Sequence, residues 1–157
     1  MSAVTFVDTS VLCELLAVPG KSDPASGVRQ EVERRARQGE RFVIPVTAVI
    51  ETGNHIAQAS SGDRHAAALR LGGLLQAARA GDPSFLLHQF TWDGDFLDAV
   101  IAGDSTGQTF AAWAAAKQMG TGDLAILVER DRFVATTAMS RADVTIWTLD
   151  DVLAQYT

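Results

Sequence analysis

Short, apolar, β-prone runs alternate with longer helical stretches along this chain, and that alternation restricts its fold more than any other feature. The runs are Val4-Thr5-Phe6-Val7, Phe42-Val43-Ile44-Pro45-Val46, Phe85-Leu86-Leu87-His88-Gln89-Phe90 and Val144-Thr145-Ile146-Trp147-Thr148. Helices are expected over 10–17, 24–38, 48–59, 63–80, 93–102, 108–119 and 123–139, with a turn at 103–107 and a short tail helix near Tyr156. Parallel strands need long crossovers, usually helical, so this order predicts an α/β sandwich with a mostly parallel sheet. Pro45 confines its run to a strand end or an edge. Thr47 is a suitable cap for the helix that follows, and Gly39 a suitable stop for the helix at 24–38. No repeat or linker divides the chain, and its 157 residues suit a single domain, 1–157, able to bury its own core.

Charge and cysteine content narrow the class. The formal net charge of −6 argues against a general nucleic-acid coat, which relies on Lys and Arg. It does not argue against an enzyme whose acids surround cations, because a bound divalent ion inverts the local charge. Cys13, the single cysteine, excludes an internal disulfide and fits a reducing, cytoplasmic compartment. Its apolar neighbours read it as a small buried hydrophobe. No run approaches the roughly 18 apolar residues of a membrane span, and no secretory leader is expected.

Four carboxylates recur at matching places. Asp8 ends the first strand, and Asp150 ends the last, in Thr148-Leu149-Asp150. Glu51 falls in about the first turn of the helix after the second strand, and Asp123 opens a helix after Gly120-Thr121-Gly122. Each has an ordinary explanation: Asp is a preferred helix cap, and Glu favours a helix N-terminus. In a parallel sheet, however, strand C-termini and the following helix N-termini share one edge, so all four are expected to converge there. Oxygen ligands alone suit Mg²⁺ or Mn²⁺, ions that activate water and clamp phosphodiester oxygens.

The stretches Phe6-Val7-Asp8-Thr9-Ser10-Val11-Leu12, Ile44-Pro45-Val46-Thr47-Ala48-Val49-Ile50-Glu51, Gly122-Asp123-Leu124-Ala125-Ile126-Leu127 and Val144-Thr145-Ile146-Trp147-Thr148-Leu149-Asp150 resemble, in order, those of a PIN domain. The likeness is to the toxin ribonucleases of VapBC toxin–antitoxin modules. It implies a three-layer α/β sandwich and an endoribonuclease dependent on Mg²⁺ or Mn²⁺, leaving 5′-phosphate and 3′-hydroxyl ends. Asp8, Glu51, Asp123 and Asp150 would be its catalytic and metal-holding acids. It also implies an RNA substrate, a homodimer and a VapB-like protein antitoxin as partner. The gaps Glu51–Asp123 and Asp123–Asp150 are longer than in compact members, so Asp151 stands beside Asp150 as the fourth acid. Asp143 precedes its strand and falls at the opposite edge. A non-catalytic PIN-like module that binds RNA or protein is the alternative. A haloacid-dehalogenase relative needs a second acid two residues after the first, where this chain has Ser10.

Around these acids, Thr9, Ser10 and Thr148 can orient carboxylates, with capping or strand preference as the ordinary reading. Asn54 and His55 follow Glu51 on its helix face. Arg34, Arg37 and Arg41, with Arg35, are interleaved with Glu31, Glu33 and Glu40 and read as a solvated face. Trp92, Trp113 and Trp147 are expected to pack. Zinc-ligand spacing, a Walker loop and a nucleophile elbow are all missing from the sequence.

Overall fold

The computed structural model describes residues 2–157. At its centre is β1 (Val4–Val7), paired in parallel with β2 (Arg41–Val43) on one side and β3 (Val144–Trp147) on the other. Phe6 lies opposite Val43 and Ile146. Every residue of β1 is buried, as befits a central parallel strand whose two faces are both covered. Its one polar side chain, Thr5, meets the Glu40 carboxylate and, at 3.2 Å, the Thr145 hydroxyl.

Among the described residues the strands are joined by seven α-helices: α1 (Thr9–Leu15), α2 (Val28–Arg37), α3 (Val46–Gln58), α4 (Arg64–Arg79), α5 (Gly94–Ala102), α6 (Phe110–Ala115) and α7 (Thr121–Thr136). The fold is therefore α/β with a small, all-parallel sheet. Val4 and Phe6 pack with Leu124, Leu127 and Phe133 of α7, and Val7 packs with Val11, Leu12, Val28 and Ala48. In α7 every residue from Leu124 to Arg130 is buried, the pattern of a helix enclosed on all sides. No helix is long and apolar enough to cross a membrane among the described residues.

Several expectations are corrected. The run at 85–90 is not a strand: it touches the sheet through a single bridge from Phe85 to Phe42. Phe42 N–H donates to Ser84 O at 2.8 Å and Leu86 N–H to Phe42 O at 2.9 Å, and then the chain departs. The reason is Pro45, which has no N–H for a ladder and stands at the cap position of α3, so β2 stops at Val43. Beyond Phe42 the run packs by side chains instead, with His88 edge-on to Phe6 and Phe133 and 2.8 Å from Glu129. Because α3 begins at Val46, Thr47 lies inside it and is not its cap. The helix expected at 24–38 starts only at Val28, after Gly27 in the left-handed region at φ 71°. That expected at 108–119 ends at Ala115, before Lys117 at φ 56°.

Two other readings hold. Cys13 is buried, and burial pushes its thiol up to about 11. The arginine face is an ion-paired one, with Glu31 bonded to Arg34 and Arg35, and Arg37 3.8 Å from Glu33, but Arg41 does not belong to it: it opens β2 and donates to Phe85 O at 3.2 Å. Of the tryptophans, Trp113 is buried and Trp147 half-buried under the Arg35 guanidinium, 4.2 Å from its ring centroid. Trp92 does not pack away: it is 58% exposed.

Candidate functional site

Three parallel strands end at one edge of the sheet, and the four carboxylates gather around it. Asp8 follows β1 directly. It occupies the N-cap position of α1, yet its side chain makes no capping bond. Instead Oδ2 accepts from Ser10 Oγ at 2.8 Å and from Thr148 Oγ1 at 2.7 Å. Ser10 Oγ in turn accepts from Leu149 N–H at 2.9 Å, which ties the segment after β3 to the segment after β1. Both hydroxyls therefore act on the carboxylate, as one of their two readings had it.

Glu51 is the sixth residue of α3, which begins at Val46, and so lies about half a turn deeper than expected. Its Oε2 accepts from Thr9 Oγ1 at 2.7 Å. Its Oε1 fills the space where a Cβ on Gly122 would stand; any side chain there would collide with it. Gly122 has no unusual φ, so this glycine is needed for close approach and not for backbone freedom. Asp123, the third residue of α7, accepts from Gly120 N–H at 2.8 Å and closes the first turn of that helix.

Asp150 fulfils the ordinary reading as well. Its Oδ1 accepts from Val152 N–H at 2.9 Å and Leu153 N–H at 2.8 Å, capping the final turn, Leu153–Tyr156. Asp143 lies in the turn before β3, at the opposite edge, where Ser140 Oγ donates to it at 2.6 Å. Among the described residues no hydrogen bond joins Asn54 or His55 to the four acids.

Electrostatics report the proximity. The half-buried Asp123 carboxyl is pushed up to about 6, chiefly by burial. The Gly120 N–H opposes that, and the charges of Asp8, Asp150 and Glu51 raise it further. The charge of Asp150 is among those that act on Asp123. Yet among the described residues no three His, Cys, Asp or Glu side chains form a single cation's ligand cage. The structure brings the four acids into one neighbourhood without drawing them together. Like charges without a counter-charge repel, and each carboxylate here is held by its own hydroxyl or N–H donors. The donors are hard oxygens alone, a chemistry that suits Mg²⁺ or Mn²⁺ better than a soft metal.

Beside the acids an apolar slot of about 480 Å³ opens between the N-terminal parts of α3 and α7 and the residues 92–101. Glu51 and Gly122 form part of its wall. Two features of this neighbourhood escaped sequence reasoning. Gly122 has no role of its own in the sequence reading beyond its place before Asp123 in a PIN-like stretch, although a glycine in the first turn of a helix is a poor helix former and hints at a close approach. Nothing in the sequence marked Trp92 as exposed. Comparison with protein-family models and with curated proteins gives no match to this chain.

Proposed function

We infer that this chain is a divalent-metal-dependent endoribonuclease with a PIN-like, three-layer, single-domain fold. The observation that supports it most is the grouping of Asp8, Glu51 and Asp150 around the half-buried Asp123, close enough for their charges to act on its carboxyl. When bound there, Mg²⁺ or Mn²⁺ supplies an acidic water and neutralises phosphodiester charge. The chain's own residues do the rest. Ser10 and Thr148 hold Asp8 through one oxygen, and Thr9 holds Glu51 through one oxygen, which fixes the direction of each remaining oxygen. Asp123, fixed in the first turn of α7 by the Gly120 N–H, completes the acidic set. The substrate class is single-stranded or looped RNA, whose backbone can reach a site at the sheet edge. A homodimer and a protein antitoxin belong to the same reading.

Replacing Asp8 with Asn keeps the shape and removes the charge. Asp8→Asn is expected to lower RNA cleavage with Mn²⁺ by at least about 100-fold, on the scale of losing one catalytic group. A purified variant that cleaves as fast as the parent removes Asp8 from the site and the reading with it.

That no three of these acids form one cation's ligand cage among the described residues favours a second reading, a non-catalytic module that binds RNA or protein. Calorimetry separates the two. Mn²⁺ binding that is lost in Asp8→Asn supports the enzyme, and an equal absence of binding in both proteins supports the module.

A further inference from the structure

The slot beside the carboxylates has its own chemistry. At about 480 Å³ it lies within the roughly 300–1,000 Å³ of small-molecule clefts. Trp92, Phe96, Leu97 and Ile101 form one side, and Glu51 and Gly122 belong to the other. Among the described residues Glu51 is the only charged side chain lining it. The lining offers a phosphate no cationic side chain. A neutral, flat ring meets apolar walls there.

Trp92 is presented for such a ring. Its indole rests on Phe96, with centroids 4.9 Å apart at 38°, and stays 58% exposed. The chain on both sides of it is anchored. Arg132 donates to Thr91 O at 3.3 Å and to Asp93 Oδ1 at 2.9 Å, and Asp93 caps α5 through Phe96 N–H at 2.9 Å. An exposed indole on a fixed backbone offers contact area with little ordering cost.

We propose that this slot receives one unstacked base of the RNA strand, with Trp92 as its stacking surface. The proposal rests on the ribonuclease reading of the carboxylate site. One residue, Glu51, belongs to both places, so a nucleotide whose phosphate lies at the acids carries its base, through the ribose, into the adjoining slot. Every base has a π-face, so the slot tolerates sequence and demands a single strand.

The test is fluorescence anisotropy of a short labelled oligouridylate with Ca²⁺, joined to cleavage kinetics with Mn²⁺. Trp92→Ala is expected to weaken binding about 5- to 100-fold, the range for losing one base–aromatic stack, and to raise KM with kcat kept. Trp92→Phe, which keeps a stacking face, is expected to lie closer to the parent than to Trp92→Ala. An oligomer abasic beside the scissile bond should bind the parent more weakly, and Trp92→Ala should then add no further loss. If the parent binds and cleaves RNA while Trp92→Ala matches it in affinity and KM, the base slot is wrong and the ribonuclease reading stands. The face then belongs to a protein contact. If the abasic oligomer binds the parent as well as the intact one, the proposal falls in the same way. A parent that neither binds nor cleaves RNA removes the ribonuclease reading and the slot assignment together.

Discussion

Two residues carry the sharpest expectations. Gly122 leaves room for Glu51 Oε1 that even a methyl group would take. Gly122→Ala should therefore displace Glu51 while leaving the helix sound, since Ala is the better helix former. The expected result is Mn²⁺ affinity lower by about 10- to 100-fold, the usual cost of disturbing a ligand's support, with the melting temperature unchanged or raised. Adding Glu51→Asp, one methylene shorter, should recover part of that loss in calorimetry. Asp123 sets a pH dependence. Its native carboxyl titrates at about 6, above the unfolded value near 3.9, so the folded chain holds this proton more tightly. The resulting stability is full below about pH 4 and is lost as pH rises through about 6. In EDTA at pH 7.5, Asp123→Asn should be more stable to urea, on the order of 1 kcal/mol after screening of a half-buried group. That advantage should shrink towards pH 4. A variant less stable than the parent at both pH values contradicts the account.

Among elements, β1 and α7 bear the fold. Phe6 is wholly buried and reaches Leu124, Leu127 and Phe133. Phe6→Ala should cost about 3–5 kcal/mol in urea unfolding, the usual range for a buried Phe. A cost below about 1 kcal/mol would mean that the core collapses onto the gap. The elements also separate what the sequence discloses from what it hides. β1 and β3 were legible because their apolar runs are short and bounded. The run at 85–90 has the same composition, yet its neighbour β2 is cut at Val43 by Pro45, and a strand needs a ladder to join. Composition reports that such a segment is buried, not which hydrogen bonds it makes. Asp8, Glu51 and Asp123 were legible because parallel topology carries them to one edge whatever the local detail. The Thr9 bond to Glu51 and the clearance at Gly122 join residues far apart in sequence, and no local pattern encodes them.

At the scale of the molecule, charge decides how the proposed RNA substrate would be held. A net charge of −6, with acids concentrated at the candidate site, repels phosphate unless cations intervene. Chelation by EDTA at fixed ionic strength should abolish cleavage and weaken RNA binding by about tenfold or more, and Mn²⁺ should restore both. Affinity that is indifferent to EDTA would place RNA on another face. The double attachment of Asp8 has a consequence for motion. Its carboxylate is held by hydroxyls that follow β1 and β3, and its N–H donates to Trp147 O at 3.0 Å. To shift its backbone, Asp8 must give up the bond that continues the pairing of β1 with β3, so it moves less readily than a residue on a free loop. In the proposed enzyme Asp8 would thus act as the fixed point of the site, against which a bound strand is positioned.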